Sequence, residues 1–425
     1  MKKKILVHGT ADSLQKFFSD AVAEDFNIVA VLSDTPEEIS VEDDGRPVEV
    51  FSPENLPKFV LNLVDGIIFT AANQNSDAAK FFLKLGIEPR KIILWDAAEG
   101  WGTLNLPDAD GTPVAYFCGL EFHIGNEDDK NFFDWAQSWL QNQWQVKNLG
   151  AKLYPEILAE SFQWRVGRPL DLDNPKTFTE KIQWLKIFGS TPIKSQLADK
   201  FSVRGWVADK IGDEYLIPLL GVWNDFDDID FDALPEKFVL KCNHGSAMNI
   251  VVRDKKNFDV RRAREKFNAW LAIDFATGFF ELHYTRIKRK IIAEKFLTNG
   301  DAPDINDYKF WCFGGRVEYV QVDRNRSTNH VQRFYTVDWE PLDFIILGHK
   351  LDTTISEKPP TLKKMLEIAE KLSDGFSIVR VDLYCVENKI YFGEMTFTPL
   401  AGYIKWTPAE MDYRIGKLIQ LDSGK

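Results

Sequence analysis

The chain has 425 residues, 44% hydrophobic and 27% charged, with a net charge of -12. That length asks for two or three domains, and the acidic balance excludes the concentrated Lys and Arg that nucleic acid or an anionic lipid surface requires. Cys118, Cys242, Cys312 and Cys385 lie far apart with no CxxC pair, so neither a disulfide framework nor a zinc site is expected.

The opening Lys2-Lys3-Lys4-Ile5-Leu6-Val7 starts like a signal peptide, but the apolar run stops at His8 and is too short for an h-region. No run of 18 apolar residues is present, so no membrane span is expected, and the cytoplasm is the expected compartment.

Residues 1–125 alternate strand and helix. Lys4–His8, Asn27–Leu32, Asp65–Phe69 and Lys91–Trp95 are apolar and β-rich, and Ser13–Ala23 is amphipathic. This predicts a Rossmann-like α/β domain with a parallel sheet. The first turn, His8-Gly9-Thr10-Ala11-Asp12-Ser13, has one glycine and no dinucleotide fingerprint. Asp34 stands where a ribose contact is made in such folds, but a nucleotide-free domain is the stronger reading and NAD is not assigned.

Residues 126–195 predict a helical connector, with helices over Asp134–Val146 and Phe178–Phe188. Thr177 and Glu180 are spaced for a capping box at the second. From 196 to 425 the pattern is α+β. Strands are expected at Phe238–Lys241, Lys290–Leu297, Tyr308–Phe313, Phe376–Tyr384 and Lys389–Phe397. Helices are expected at Asp259–Phe275 and where Leu362, Met365, Leu366, Ala369 and Leu372 share a face.

The last two strands carry most of the chemistry. Alternation places Arg380 and Asp382 on one face, and Glu394 and Thr396 on one face. If Glu387-Asn388-Lys389 forms the hairpin loop, Asp382 lies opposite Glu394 and Arg380 opposite Thr396; a two-residue loop would put the carboxylates on opposite faces. Facing carboxylates repel unless a cation lies between them, and Mg²⁺ prefers such oxygen ligands together with phosphates. Thr396 adds an oxygen, and Arg380 suits a phosphate or a developing oxyanion. The bland alternative is a surface hairpin with solvated charges.

Two weaker signals precede it. In Phe238-Val239-Leu240-Lys241-Cys242-Asn243-His244-Gly245-Ser246 an apolar strand ends in a lysine before a small-residue loop, whose backbone N–H groups suit phosphates. It is not a Walker A motif, and a lysine at a strand edge is the commoner case. Ile291-Ile292-Ala293-Glu294-Lys295-Phe296-Leu297 reads either as a core strand or as a connection offering backbone groups to an adenine edge.

In this order the pieces resemble the ATP-grasp superfamily, and Arg380-Val381-Asp382 with Glu394-Met395-Thr396, Pro399 and Gly402 resembles the end of D-alanine–D-alanine ligases. Thr396 departs from the Asn usual there. The closer resemblance is to the TupA-like ATP-grasp family. It rests on Asn174–Lys181, Ala198–Arg204, Val239–Ser246, Asp307–Gly315 and Gly393–Pro399, and covers about residues 150 to 420.

The resemblance implies an ATP-grasp fold over 196–425, ATP and one or two Mg²⁺ ions as cofactors, and an acyl phosphate formed from a carboxylate and consumed by an amine. It implies phosphate contacts from Lys200 and Lys241, and a flexible cover from His244, Gly245 and Ser246 to Asn249. It implies an adenine hinge at Glu294, Lys295, Phe296 and Leu297, with Asp307 near the ribose and Lys309 on a phosphate or the acceptor carboxylate. Asp382 and Glu394, with Thr396, become metal ligands; Arg380 and the Gly402 backbone stabilise the tetrahedral intermediate. The family is associated with cell-wall and exopolysaccharide biosynthesis, so a uronic acid or amino acid as carboxylate, and polysaccharide-assembly enzymes as partners, are expected.

Three rivals remain. A glycosyltransferase would use an Asp-x-Asp, and Asp228-Ile229-Asp230 or Asp230-Phe231-Asp232 fits that pattern, although the acidic run Asp225–Asp232 is better read as a solvated loop. The others are a non-catalytic module and a kinase on the same fold.

Overall fold

The computed structural model describes residues 3–19, 26–32, 42–43, 46–48, 50–51, 66–70, 92–96, 100–108, 110–118, 120–149, 151–300 and 304–421. The chain packs as two units, 1–152 with 259–273, and 153–258 with 274–425. The connector at 126–195 is thus shared between them, and one helix from the middle of the chain joins the first unit. Among the described residues no helix is long and apolar enough to cross a membrane.

The first unit has strands β1 (Lys3–His8), β2 (Phe26–Leu32), β3 (Glu42–Asp43), β4 (Arg46–Pro47), β5 (Val50–Phe51), β6 (Gly66–Phe69), β7 (Ile92–Asp96), β8 (Gly100–Pro107), β9 (Pro113–Phe117) and β10 (Leu120–His123). One eight-stranded sheet has the order β10-β9-β8-β7-β6-β1-β2-β5. From β7 to β5 it is the parallel sheet expected, and β8, β9 and β10 extend it antiparallel. Ile5, Leu6, Val7, Ile67, Ile68 and Phe69 are all buried, consecutive residues included. That is how a parallel strand covered on both faces reads. Asp34 lies outside the described residues.

In the second unit, helix Phe178–Phe188 starts as its sequence dictates: Thr177 accepts from the Glu180 N–H, and Glu180 reaches back to the Thr177 N–H. The segment expected as one helix over Asp259–Phe275 is two, Val260–Ala272 and Phe275–Phe279. The side chains of Asp259 and Asp274 cap them, and the second cap interrupts the run.

A four-stranded antiparallel sheet has the order β11 (Leu219–Trp223), β14 (Ile291–Lys295), β12 (Phe238–Cys242), β13 (Asn249–Val252). The larger sheet contains β15 (Asp307–Phe313), β16 (Arg316–Arg324), β17 (Val331–Tyr335), β18 (Pro341–Leu342), β20 (Lys350–Leu351), β21 (Ile378–Val386) and β22 (Lys389–Thr396). Its order is β18-β17-β16-β15-β21-β22, with β20 beside β17. The period of two splits this sheet into two faces. Phe310, Cys312, Val320, Val322, Val379, Val381 and Leu383 belong to one core with Leu362, Met365, Ile368, Ala369 and Leu372 of helix Leu362–Ser373. The alternate positions of the same strands form the other face: Trp311, Phe313, Phe334 and Ile378 pack into a second core at one end, and Asp307, Lys309, Gln321, Asp323, Arg380 and Asp382 make the rest polar.

Candidate active site

The polar face is set by strand register. Asp382 on β21 pairs with Glu394 on β22, and Arg380 with Thr396. The expected pairing is present, but it is reached by another route. The hairpin loop is the two residues Glu387 and Asn388, both at positive φ, with Val386 opposite Lys389. An uncorrected ladder from that loop would put the two carboxylates on opposite faces. A register shift between Asp382 and Leu383, opposite Gly393, inserts one extra residue and returns Glu394 to the face of Asp382.

Continuing across the sheet, Asp382 pairs with Lys309 on β15, and Lys309 with Gln321 on β16. One step along, Asp307 pairs with Asp323, and Asp323 with Gln332 on β17. The face therefore carries four carboxylates around one lysine. Lys309 Nζ lies 2.8 Å from Asp382, 3.4 Å from Asp307 and 3.8 Å from Asp323. Burial pulls the Lys309 pKa down, but these carboxylates outweigh it and raise it, so Lys309 stays an ammonium. Arg380 grips Asp382 with two bonds of 2.7 Å and reaches Glu394 at 3.4 Å and Thr396 Oγ1 at 3.2 Å. Burial alone would raise the Glu394 carboxyl. The charges of Lys200, Arg380, Lys309 and Lys241 overcome that and hold it at about 2. Arg326 pairs with Asp307.

Asp382 and Glu394 thus face each other as oxygen donors within a ring of cations, with the Thr396 hydroxyl beside them. Among the described residues no group of three His, Cys, Asp or Glu side chains is placed to hold a metal ion. The chemistry of the donor set, two carboxylates and a hydroxyl, fits an ion such as Mg²⁺ that takes one or two protein carboxylates and completes its shell with phosphate and water.

On the smaller sheet, Glu294 is buried, and Lys241 at 2.7 Å and Arg204 at 3.1 Å clasp its carboxylate. Arg204 also donates to the Ile217 carbonyl at 2.7 Å. The Glu294 side chain is therefore spent on two cations, which leaves only backbone groups of this segment for an adenine edge. β14 ends at Lys295, an exposed residue whose N–H is used by the Pro218 carbonyl. Phe296 follows under the Arg253 guanidinium, and Leu297 is half-buried.

The expected flexible cover over 244–249 is held down at its base. Asn243 is fully buried; its amide donates to Asp199 and to the Lys288 carbonyl, and its Oδ1 accepts from the Lys290 N–H. His244, Gly245 and Met248 are buried, Lys200 Nζ donates to the Gly245 carbonyl, and Ser246 and Ala247 form the exposed tip. Lys200 also lies 3.6 Å from Glu394, so it joins this loop to the carboxylate hairpin.

A cavity of about 470 Å³ opens over the polar face. It is lined by Lys309, Arg380, Glu394, Thr396 and Ser246, with an aromatic wall that includes Phe275 and Tyr403. Gly402 is not part of that lining. It lies in a turn where Leu400, Ala401 and Gly402 all have positive φ, and its carbonyl accepts from Gln183. Asp228, Asp230 and Asp232 are exposed while Ile229 points inward, and none of the three lines the cavity.

Sequence reasoning missed Arg204, Gln321, Asp323, Arg326, His330 and Gln332. Gln321, Asp323 and Gln332 are polar residues within strands, which carry no local mark, and strand pairing alone brings them to this face. Arg204 comes from helix Val203–Ile211 to Glu294, and Arg326 and His330 come from the connection between two strands.

Residues 180–420 match the family described as TupA-like ATPgrasp. No curated protein matches the chain. Among solved structures it is similar to a D-alanine–D-alanine ligase from Helicobacter pylori, at 15% identity over 57% of this chain and 65% of that one, with a TM-score of 0.32. The chain thus spans slightly under two thirds of that relative's length. It is also similar to the purK N5-carboxyaminoimidazole ribonucleotide synthetase in its ADP complex (11% identity, 93% and 70% covered, TM-score 0.28). A D-alanine–D-alanine ligase from Bacillus anthracis gives 10% identity, 99% and 96% covered, and a TM-score of 0.28.

Proposed function

The chain belongs to the TupA-like ATP-grasp family, and from that premise we propose that it is an ATP-dependent ligase that activates a carboxylate and joins it to an amine. The observation that carries this reading is the meeting of Asp382 and Glu394 on one face, with Arg380 and Lys309 against Asp382, and with Glu394, Arg380 and Lys309 lining a single cavity.

In this reading a substrate carboxylate oxygen attacks the γ-phosphorus of ATP, and ADP leaves with the electron pair of the broken P–O bond. The amine then attacks the acyl carbon. Inorganic phosphate leaves with the C–O pair, and nitrogen loses a proton. Asp382 and Glu394, with Thr396 beside them, would hold Mg²⁺, which when bound supplies charge neutralisation at the phosphates. Lys200 and Lys241 supply positive charge next to those carboxylates. Arg380 is oriented by its two bonds to Asp382, so its charge is fixed before negative charge develops on the reacting oxygens. Lys309 stays protonated and holds either a transferred phosphate or the substrate carboxylate.

The finer reading is a cytoplasmic, ADP-forming enzyme that makes an amide on a uronic acid of a cell-surface glycan or its precursor; the family's association with such polymers supports it.

The test is thermal shift of the full chain with Mg·ATP, Mg·ADP and UDP-sugars separately, since a ligand of the native state raises its midpoint by mass action. A shift with Mg·ATP or Mg·ADP alone is expected. A shift with a UDP-sugar and none with either adenine nucleotide would replace the ligase by a glycosyltransferase.

A further inference from the structure

One to three strands from Asp382, the same sheet face holds a set of polar groups whose hydrogen bonds do not close. Trp311 Nε1 can only donate, and it donates to Gln321 Oε1 at 3.0 Å. That fixes the Gln321 amide, whose Nε2 must spend its protons elsewhere. It donates to Asp323 Oδ1 at 2.9 Å and to Gln332 Oε1 at 3.0 Å. Gln332 is therefore fixed too, with its NH₂ as the free end. Gln332 is 0% exposed, its Nε2 is buried and has no hydrogen-bond partner, and the residue lines the cavity. An unsatisfied buried donor of this kind is destabilising, so its persistence needs a reason.

Asp323 faces Gln332 directly across the β16–β17 ladder. Of the four carboxylates on this face, Asp307, Asp382 and Glu394 each have a cation within hydrogen-bond reach. For Asp323, the cations near Oδ2 are Lys309 at 3.8 Å and, when protonated, His330 at 3.7 Å, both outside that reach. His330 Nε2 is also buried and unpartnered. One directly opposed pair thus presents an open acceptor that carries charge and an open donor, side by side, on the wall of one cavity. Lys309 links them to the reaction centre, because the same ammonium touches Asp382.

We propose that Asp323 and Gln332 form the subsite for the amine substrate, and that this substrate is a primary amine carrying an oxygen acceptor on a neighbouring carbon. Its ammonium binds Asp323 Oδ2, and its oxygen accepts from Gln332 Nε2. Directly opposed side chains stand about 4.5–5.5 Å apart at Cβ, which suits two functional groups separated by two carbons. The ammonium also supplies a cation at hydrogen-bond distance, which Lys309 at 3.8 Å does not. The inference rests on the ligase reading and adds the chemical class of the second substrate.

The experiment is isothermal titration of the full chain, saturated with Mg·ADP, with three matched pairs of probes: ethanolamine and ethylene glycol, glucosamine and glucose, alanine and lactate. At least one amine is expected to bind, and its amine-free partner at least tenfold more weakly. Asp323→Asn, which keeps the shape, should weaken that amine at least tenfold. Gln332→Met should weaken it severalfold. Neither should change the Kd of Mg·ADP, which also reports that the variant is folded. The matched pairs in the parent protein test the idea without any variant. The proposal is overturned if Mg·ADP binds and no amine does, if each amine and its partner bind alike, or if Asp323→Asn leaves the amine Kd unchanged. Failure of Mg·ADP itself to bind would remove the ligase reading, and the amine subsite with it.

Discussion

Glu294 and Asp382 are both buried carboxylates clasped by two cations, yet they keep different company. Glu294, on the four-stranded sheet, takes Lys241 at 2.7 Å and Arg204 at 3.1 Å, and the second arm of Arg204 closes on a backbone carbonyl. Asp382, on the larger sheet, takes Arg380 and Lys309, and both of these are shared onward, to Glu394 and Thr396 on one side and toward Asp307 and Asp323 on the other. The first clasp is closed by hydrogen bonds, although the charge of Lys241 still reaches Glu394. The second is one link in a row of charges that borders a cavity. A saturated ion pair of the first kind positions strands, whereas a shared one keeps charge available for a ligand.

The largest expected effect comes from breaking the shared clasp. Asp382→Asn should lower ADP release at least about a hundredfold, because an oxygen of the proposed metal site and the anchor of Arg380 go together. It should also lower stability by about 3 kcal/mol, since Arg380 and Lys309 remain buried with less counter-charge. Coupled ADP release and urea unfolding read the two effects separately, and parental turnover would end the metal assignment. Glu294→Gln tests the closed clasp. Stability should drop by about 2 kcal/mol and the KM for ATP should rise, while kcat stays within about threefold. A collapse of kcat with KM unchanged would mean that Glu294 belongs to the chemistry, and the distinction between the two clasps would be lost.

The two clasps also differ in how far the sequence discloses them. Asp382 and Glu394 were legible because strand alternation is a local rule, as was the Thr177–Glu180 box at the start of its helix. Glu294 was legible only as part of an apolar strand. Its partners Arg204 and Lys241 come from elsewhere in the chain, and the ion pairs they make with its side chain leave no local mark in the sequence. Asp323 and Gln332 were invisible for the same reason: each is an unremarkable polar residue until β16 and β17 are set in register. Even at the legible hairpin the loop length was misjudged. The pairing came out as expected because a bulge, which a single glycine marks only faintly, compensates for the shorter loop.

That bulge supplies the smallest effect and the sharpest check on the geometry. A Cβ at Gly393 would sit 3.0 Å from the Asp382 carbonyl oxygen and 3.1 Å from the Tyr384 ring. The ring can give way by a few tenths of an ångström. The carbonyl can do so only by moving the strand that carries Asp382. Gly393→Ala should therefore lower stability by about 1 kcal/mol and reduce ADP release by a few fold, with nucleotide affinity less affected, because the displaced atoms belong to the Asp382–Glu394 pair rather than to Lys241 or Glu294. An alanine variant with parental stability and turnover would show that the backbone at Asp382 yields without consequence, and that the facing of Asp382 and Glu394 does not depend on close approach at the bulge.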